Sequence, residues 1–171
     1  MVDSSPKASI NVRSGSYWIA HATGQCSRCR AATRVVALAL PPQHQSLALD
    51  WDVEKDELVD YGWETVEWCA FLFYVEYLPE DIRLRLQAVS ASYRFAFSGR
   101  TQGSYWANHC GNCGAFVEDH DLFCEPDGAF LPTTPVGAAA VTLERVDEPL
   151  AAGAIGYACD PQFLDSMIVG S

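Results

Sequence analysis

The chain has 171 residues, with 11 Lys and Arg against 22 Asp and Glu, a formal net charge of −11 and a hydrophobic fraction of 49%. That length and apolar content suit one domain with a sizeable core and exclude wholesale disorder. The acidic balance argues against nonspecific binding to nucleic acid or an anionic membrane, and it favours a basic partner or plain solubility.

Residues 1–14 read as a polar, loosely ordered arm, and 15–171 as a single domain. The opening MVDSSPKASI lacks the apolar stretch of a secretory signal. The longest apolar runs, near Val35 to Pro42 and Cys69 to Val75, fall short of the about 20 residues a membrane helix needs. The expectation is a cytoplasmic protein. Gly15 to Ala20 reads as a strand that leads to a C-x-x-C turn at Cys26 and Cys29. Val35 to Leu40 suits a buried strand, which Pro41 and Pro42 end because proline cannot continue a ladder.

Asp50 to Asp81 carries eleven acids and a single base, Lys55, together with Trp51, Trp63 and Trp68. It reads as an acidic insert. Inward packing of Trp63 and Trp68 is the simpler expectation. The sharper one is a recognition surface for a basic protein, built from Trp51, Asp52, Glu54, Asp56, Glu57, Asp60 and Trp63, since tryptophan anchors dominate interface energetics.

Cys69 to Tyr77 reads as a strand, and Pro79 to Ser90 as the main helix, with acids in its first turn. Ile82, Leu86, Val89 and Tyr93 recur at helical spacing and form its expected buried stripe. Tyr93 to Phe97 is a further strand, and Ser98 to Gly103 a turn-rich link to a second C-x-x-C at Cys110 and Cys113. Ala115 to Glu125 is expected as a strand, Glu125-Pro126-Asp127-Gly128 as a turn and Ala129 to Leu131 as a hairpin partner. Ala138 to Val146 is another strand, and Asp160-Pro161 opens a short C-terminal helix near Phe163 to Ile168. The fold class expected is α+β, mainly antiparallel β, with a zinc ribbon joining the early and late parts.

The chemistry lies in the cysteines. In a reducing compartment, paired C-x-x-C units read as metal ligands rather than disulfides. Cys26 and Cys29 follow Gly15-Ser16-Tyr17-Trp18, and Cys110 and Cys113 follow the same four letters at Gly103-Ser104-Tyr105-Trp106. One device is used twice. Four thiolates suit a single structural zinc ion, Zn2+, in a closed tetrahedral site. Gly111 and Gly114 let backbone N–H groups turn toward the sulfurs. A simple ribbon spaces its pairs by about 15–20 residues, whereas 80 residues separate Cys29 from Cys110. The longer loop costs only roughly 1.5 kcal/mol more to close, against on the order of 10 kcal/mol from zinc binding.

Other readings rank lower. A redox C-x-x-C sits at a helix N-terminus, but Gly114-Ala115-Phe116-Val117 reads as strand. A catalytic zinc needs an open position. His21, His109 and His120 lie near the knuckles, with Glu118, Asp119 and Asp121 as candidate bases, yet four cysteines already fill the shell. His109 reads as a supporting or surface residue. Cys69, Cys124 and Cys159 are expected as buried thiols. Arg28, Arg30 and Arg34 could touch nucleic acid, but pairing with the acidic insert is the simpler reading.

Tyr105-Trp106-Ala107-Asn108 followed by Cys110-Gly111-Asn112-Cys113-Gly114-Ala115, an acid pair, and a later Ala129-Phe130-Leu131-Pro132 resembles uncharacterised bacterial zinc-ribbon-like proteins. So does the earlier C-x-x-C with Thr33 and the Val35 to Leu38 strand, and the helix opening at Leu78-Pro79. The similarity spans Cys26 to Leu40 and Leu78 to Pro132 and leaves out the acidic insert. It implies a shared metal site on Cys26, Cys29, Cys110 and Cys113, and it brings no activity. The function expected is a non-enzymatic, zinc-stapled, acidic protein-binding module, such as an immunity or antitoxin protein covering a basic partner. The alternatives are a nucleic-acid-binding ribbon and, third, a metal- or thiol-dependent enzyme.

Overall fold

The computed structural model describes residues 10–158, 163 and 166–170. The chain runs through β1 (Val12–Ser14), β2 (Tyr17–Gln25), β3 (Ala32–Leu40), β4 (His44–Asp52), β5 (Glu57–Val66) and β6 (Ala70–Tyr77) before its main helix, α1 (Glu80–Val89). Then follow β7 (Arg94–Ser98), β8 (Gly103–Ala107), α2 (Asp119–Phe123), α3 (Pro135–Ala138), β9 (Thr142–Val146), β10 (Leu150–Ala158) and β11 (Ile168–Gly170). The strands form one sheet in the order β11-β9-β2-β3-β6-β10-β1-β4-β5, with β8 added on β6 and β7 on β8. β11 lies parallel to β9, and the other pairings described are antiparallel.

The α+β expectation is overturned. Strand accounts for 49% of the structure and helix for 13%, and α1 alone among the helices reaches seven residues. The knuckle strands are also not a separate small ribbon, because β2, β3 and β8 are members of the one large sheet. The short C-terminal helix was expected to open at Asp160 and Pro161, which lie outside the described residues, and Ile168 begins β11.

β3 explains why the sheet holds together. Its alternate residues Val36, Leu38 and Leu40 join one core cluster with Tyr17, Ile19, Leu72, Ile82 and Leu86. Val35, Ala37 and Ala39 join a second cluster with Phe71, Phe123, Phe130, Val141 and Leu143. A strand buried on both faces reads as a continuous apolar run, as Val35 to Leu40 does. α1 covers the first face with the expected stripe: Ile82, Leu86 and Tyr93 are buried and Val89 packs against them. α2 and the chain around Phe130 and Ala138 cover the second.

Several local expectations changed. Val12–Ser14, expected in the loose arm, forms β1 between β10 and β4. The strand expected at Ala115 to Glu125 reduces to a bridge between His109 and Phe116, after which the chain turns into α2. In the Pro126 turn the left-handed residue is Asp127, at φ 62. Gly128 is needed instead for closeness, because a Cβ there would fall 2.5 Å from the Asp121 carbonyl oxygen. Val141 closes a turn after α3, so the strand expected from Ala138 starts only at Thr142.

Candidate metal centre

The first knuckle is the turn between β2 and β3. The Cys26 N–H donates to the Ala31 carbonyl at 2.9 Å, and the Arg30 N–H donates to the Cys26 carbonyl at 2.9 Å. The second knuckle follows β8. There the Cys110 N–H donates to the Ala115 carbonyl at 2.8 Å, and the Gly114 N–H to the Cys110 carbonyl at 2.9 Å. The two turns share one scheme, including a left-handed fourth residue after the first cysteine: Arg30 at φ 64 and Gly114 at φ 72. Such a turn tips backbone donors toward sulfur. The Cys29 N–H lies 3.5 Å from Cys26 Sγ, and the Asn112 N–H 3.4 Å from Cys110 Sγ.

All four Sγ atoms lie within 4.8 Å of one another. Cys26 Sγ is 3.7 Å from Cys113 Sγ, and Cys29 Sγ is 3.6 Å from Cys110 Sγ. A tetrahedron with metal–sulfur bonds of about 2.3 Å has edges of about 3.8 Å, so this donor set fits a four-coordinate ion that prefers sulfur. Cys26 and Cys110 are buried, Cys29 is half-buried and Cys113 exposed. Asn112 Nδ2 donates to Cys29 Sγ at 3.5 Å. That bond, aided by the backbone at Ala31, lowers the Cys29 thiol to about 6. Backbone donors at Cys113 and Asn112 lower Cys110 as well. The backbone at Ala115 lowers Cys113, but desolvation and its three sulfur neighbours outweigh it and leave that thiol at about 11. Without a cation, four sulfurs this close cannot all carry charge cheaply, and a bound cation would relieve that repulsion.

Two side chains tie the knuckles to the sheet. Thr33 Oγ1, on β3, accepts the Gly111 N–H at 2.9 Å. Asn108, 1% exposed, acts as a one-residue strand: its Nδ2 donates to the Val36 carbonyl at 2.9 Å, and its Oδ1 accepts the Val36 N–H at 2.8 Å. Both residues stood in the motif, but nothing in the letters marked them as clamps. The other residues near the knuckles have separate tasks. His109 is buried with its ring 4.9 Å from Phe116, so it is not a surface residue, and burial lowers its pKa. His21 is half-buried, and desolvation lowers it too. His120 lies beside Asp121 and Glu125. Glu118 accepts the Tyr105 and Ser98 hydroxyls, and Asp121 pairs with Arg100 at 2.8 Å. Asp119 is buried and accepts the Tyr74 N–H at 2.7 Å. Burial is the main cause that raises it to about 7. Cys69 is buried, Cys124 is exposed, and Cys159 lies outside the described residues.

The acidic segment is not an insert. Its first part is the β4–β5 hairpin, and its second supplies β6 and the start of α1. Alternation puts Leu47, Leu49 and Trp51 on one face of the hairpin, opposite Trp63, Asp60 and Leu58 in the register. Trp51 is 53% exposed, Leu58 59% and Leu49 45%. Trp63 is half-buried beneath the Arg13 guanidinium, 4.1 Å from its ring centre. Trp68 is also exposed, so the inward packing expected of Trp63 and Trp68 does not occur in full. Asp52 and Asp60 shape the hairpin. Asp52 Oδ1 accepts the Glu54 and Lys55 N–H groups in the turn, and Asp60 Oδ1 accepts the Gly62 N–H at a bulge. Glu54, Asp56 and Glu57 stand exposed. Arg28, Arg30 and Arg34 are exposed and form no ion pair with a described carboxylate, so the expected pairing with the acidic segment is not made.

Compared with known proteins, the chain matches no family model, no curated protein and no solved structure. What stands from the motif resemblance is the four-cysteine cluster itself. No helix among the described residues is long and apolar enough to cross a membrane.

Proposed function

We propose that the chain is a non-enzymatic binding module, stapled by one structural zinc ion, whose β4–β5 hairpin docks a basic protein. The observation that carries this reading is the exposed Leu49, Trp51 and Leu58 face on a hairpin rimmed by acids, none of whose residues joins either core cluster. Apolar area left in water at this density marks an interaction site, and tryptophan is the commonest anchor of such sites. The acids raise the encounter rate with a cationic partner and discriminate against anionic ones. The non-enzymatic reading rests on four thiolate donors, which close the zinc shell and leave no position for substrate. The role of an immunity or antitoxin protein in the cytoplasm, covering a basic toxin, fits this design. Nucleic acid is the second reading. The unpaired Arg28, Arg30 and Arg34 favour it, and the net charge of −11 opposes it.

The test is native capture with the wild type and with a Glu54→Lys, Glu57→Lys, Glu64→Lys variant, three acids with no hydrogen bond that shapes the hairpin. The wild type recovers a basic protein, more of it at low salt, and the variant loses it while keeping its metal and its melting temperature. Equal recovery by both proteins contradicts the proposal.

A further inference from the structure

β5 ends the sheet order on its side, with β4 as its partner among the described residues. Its ten residues therefore offer a row of backbone donors and acceptors along an open edge. Such an edge invites another strand unless it is guarded. The usual guards, lysine and proline, are absent from Glu57–Val66. The guards here are acids, Glu57, Asp60 and Glu64, and a bulge at Tyr61 and Gly62, where Gly62 takes φ 90. The bulge divides the edge into two straight stretches, residues 57–60 and 63–66.

Acidic guards are selective. A second copy lying along β5 would add its own acids to these, and like charges are destabilising wherever the pairing sets them directly opposite. A strand with lysine or arginine at alternate positions meets the reverse situation. Register places Glu57 and Glu64 opposite Asp52 and Ser46, on the face away from Trp51. The other face already takes a guanidinium, that of Arg13 over Trp63. An added strand would thus find Glu57 and Glu64 on one side and, on the other, Leu58 and Trp63 with Asp60 between them. We infer that β5 receives an extended basic segment of a partner protein as an additional strand, with lysines facing Glu57 and Glu64 and arginine or aliphatic side chains over Leu58 and Trp63. This deepens the reading of the hairpin as the binding surface and rests on it. Main-chain hydrogen bonds supply the attachment and the alternating side chains supply the selection, as in other strand-addition modes.

The experiment titrates the full chain with a synthetic eight-residue peptide of alternating lysine and valine, and with the same peptide N-methylated on alternate amides along one edge. Amide hydrogen exchange is followed residue by residue. The inference expects at least tenfold slower exchange at alternate β5 amides with the first peptide, no such protection with the N-methylated one, and loss of binding in the Glu57→Lys, Glu64→Lys variant. Binding that depends on the acids but is indifferent to N-methylation and leaves β5 unprotected overturns strand addition while the acidic hairpin keeps its role. No binding of either peptide at low salt overturns this inference, whereas the wider docking reading is judged by native capture. Concentration-dependent dimerisation that itself protects β5 also overturns it, since the edge would then belong to a second copy.

Discussion

The knuckle pair and the β4–β5 hairpin are both turns that close on strands of the one sheet, yet they are built on opposite terms. At the knuckles the turns close by backbone hydrogen bonds, the first cysteine of each pair is buried, and Thr33 and Asn108 tie the turns to β3. At the hairpin Glu54, Glu57 and Glu64 stand in water, and Leu49, Trp51 and Leu58 stand with them. The difference separates what holds the molecule together from what it can offer to another. Substitutions at the knuckles should therefore act on stability, and substitutions of the exposed hairpin acids on association.

The largest effect is expected at a ligand. Cys110→Ser removes a buried thiolate from a site worth on the order of 10 kcal/mol, and it should cost a large part of that, seen as lost metal and a collapsed melting temperature. A melting temperature unchanged in Cys110→Ser would erase the contrast between the two regions.

Next is Asp119, whose effect depends on pH. Its pKa in the fold, about 7, lies above the ordinary carboxyl value of about 4. The sign follows: its contribution is fully present below the unfolded value and is lost as pH rises through 7, since the fold binds the proton more tightly than the unfolded chain. Asp119→Asn, whose amide oxygen can still accept the Tyr74 N–H, should remove that dependence and be more stable than the wild type at pH 8. Urea midpoints of both proteins from pH 5.5 to 8 measure the difference, and parallel curves would contradict it.

Asn108→Ala should cost about 3 kcal/mol, because it orphans a buried N–H and a buried carbonyl of Val36 at once. The smallest knuckle effect tests whether the two turns are equivalent. Gly114→Ala meets no atom within 4 Å, so its cost is conformational, about 1 kcal/mol. Arg30→Gly should do the reverse and stabilise by about 0.5 kcal/mol, since a left-handed arginine gives way to a residue at ease there. Chemical denaturation of the pair decides it, and the same sign for both would break the equivalence.

The four-cysteine cluster was legible because its signal is chemical and repeated: two C-x-x-C units with one lead-in, each turn needing the same geometry. β3 and α1 were legible because an unbroken apolar run marks a doubly buried strand and the Ile82, Leu86, Val89 stripe recurs at helical spacing. The hairpin was not, although Leu49-Asp50-Trp51-Asp52 alternates as a strand should. Its charge drew it toward an insert, and nothing in the letters says that the apolar side of that alternation faces water. β10 was missed for another reason. Leu150–Ala158 is rich in alanine and glycine, poor strand formers by themselves. It is a strand because β6 and β1 flank it, and because Gly156 leaves room for the Phe73 ring, which a Cβ would approach to 2.4 Å. α2 was misread since the pairing of Asn108 with Val117 ends the ladder just before Glu118 and Asp119 open a helical turn.

The central claim is that one ion joins segments separated by 80 residues of chain. X-ray absorption at the zinc edge, on protein purified without chelator and assayed for metal, tests it most directly. The account predicts one zinc per chain in a shell of four sulfurs at about 2.3 Å. Protein that folds without metal, or a shell holding nitrogen or oxygen in place of a sulfur, would contradict it.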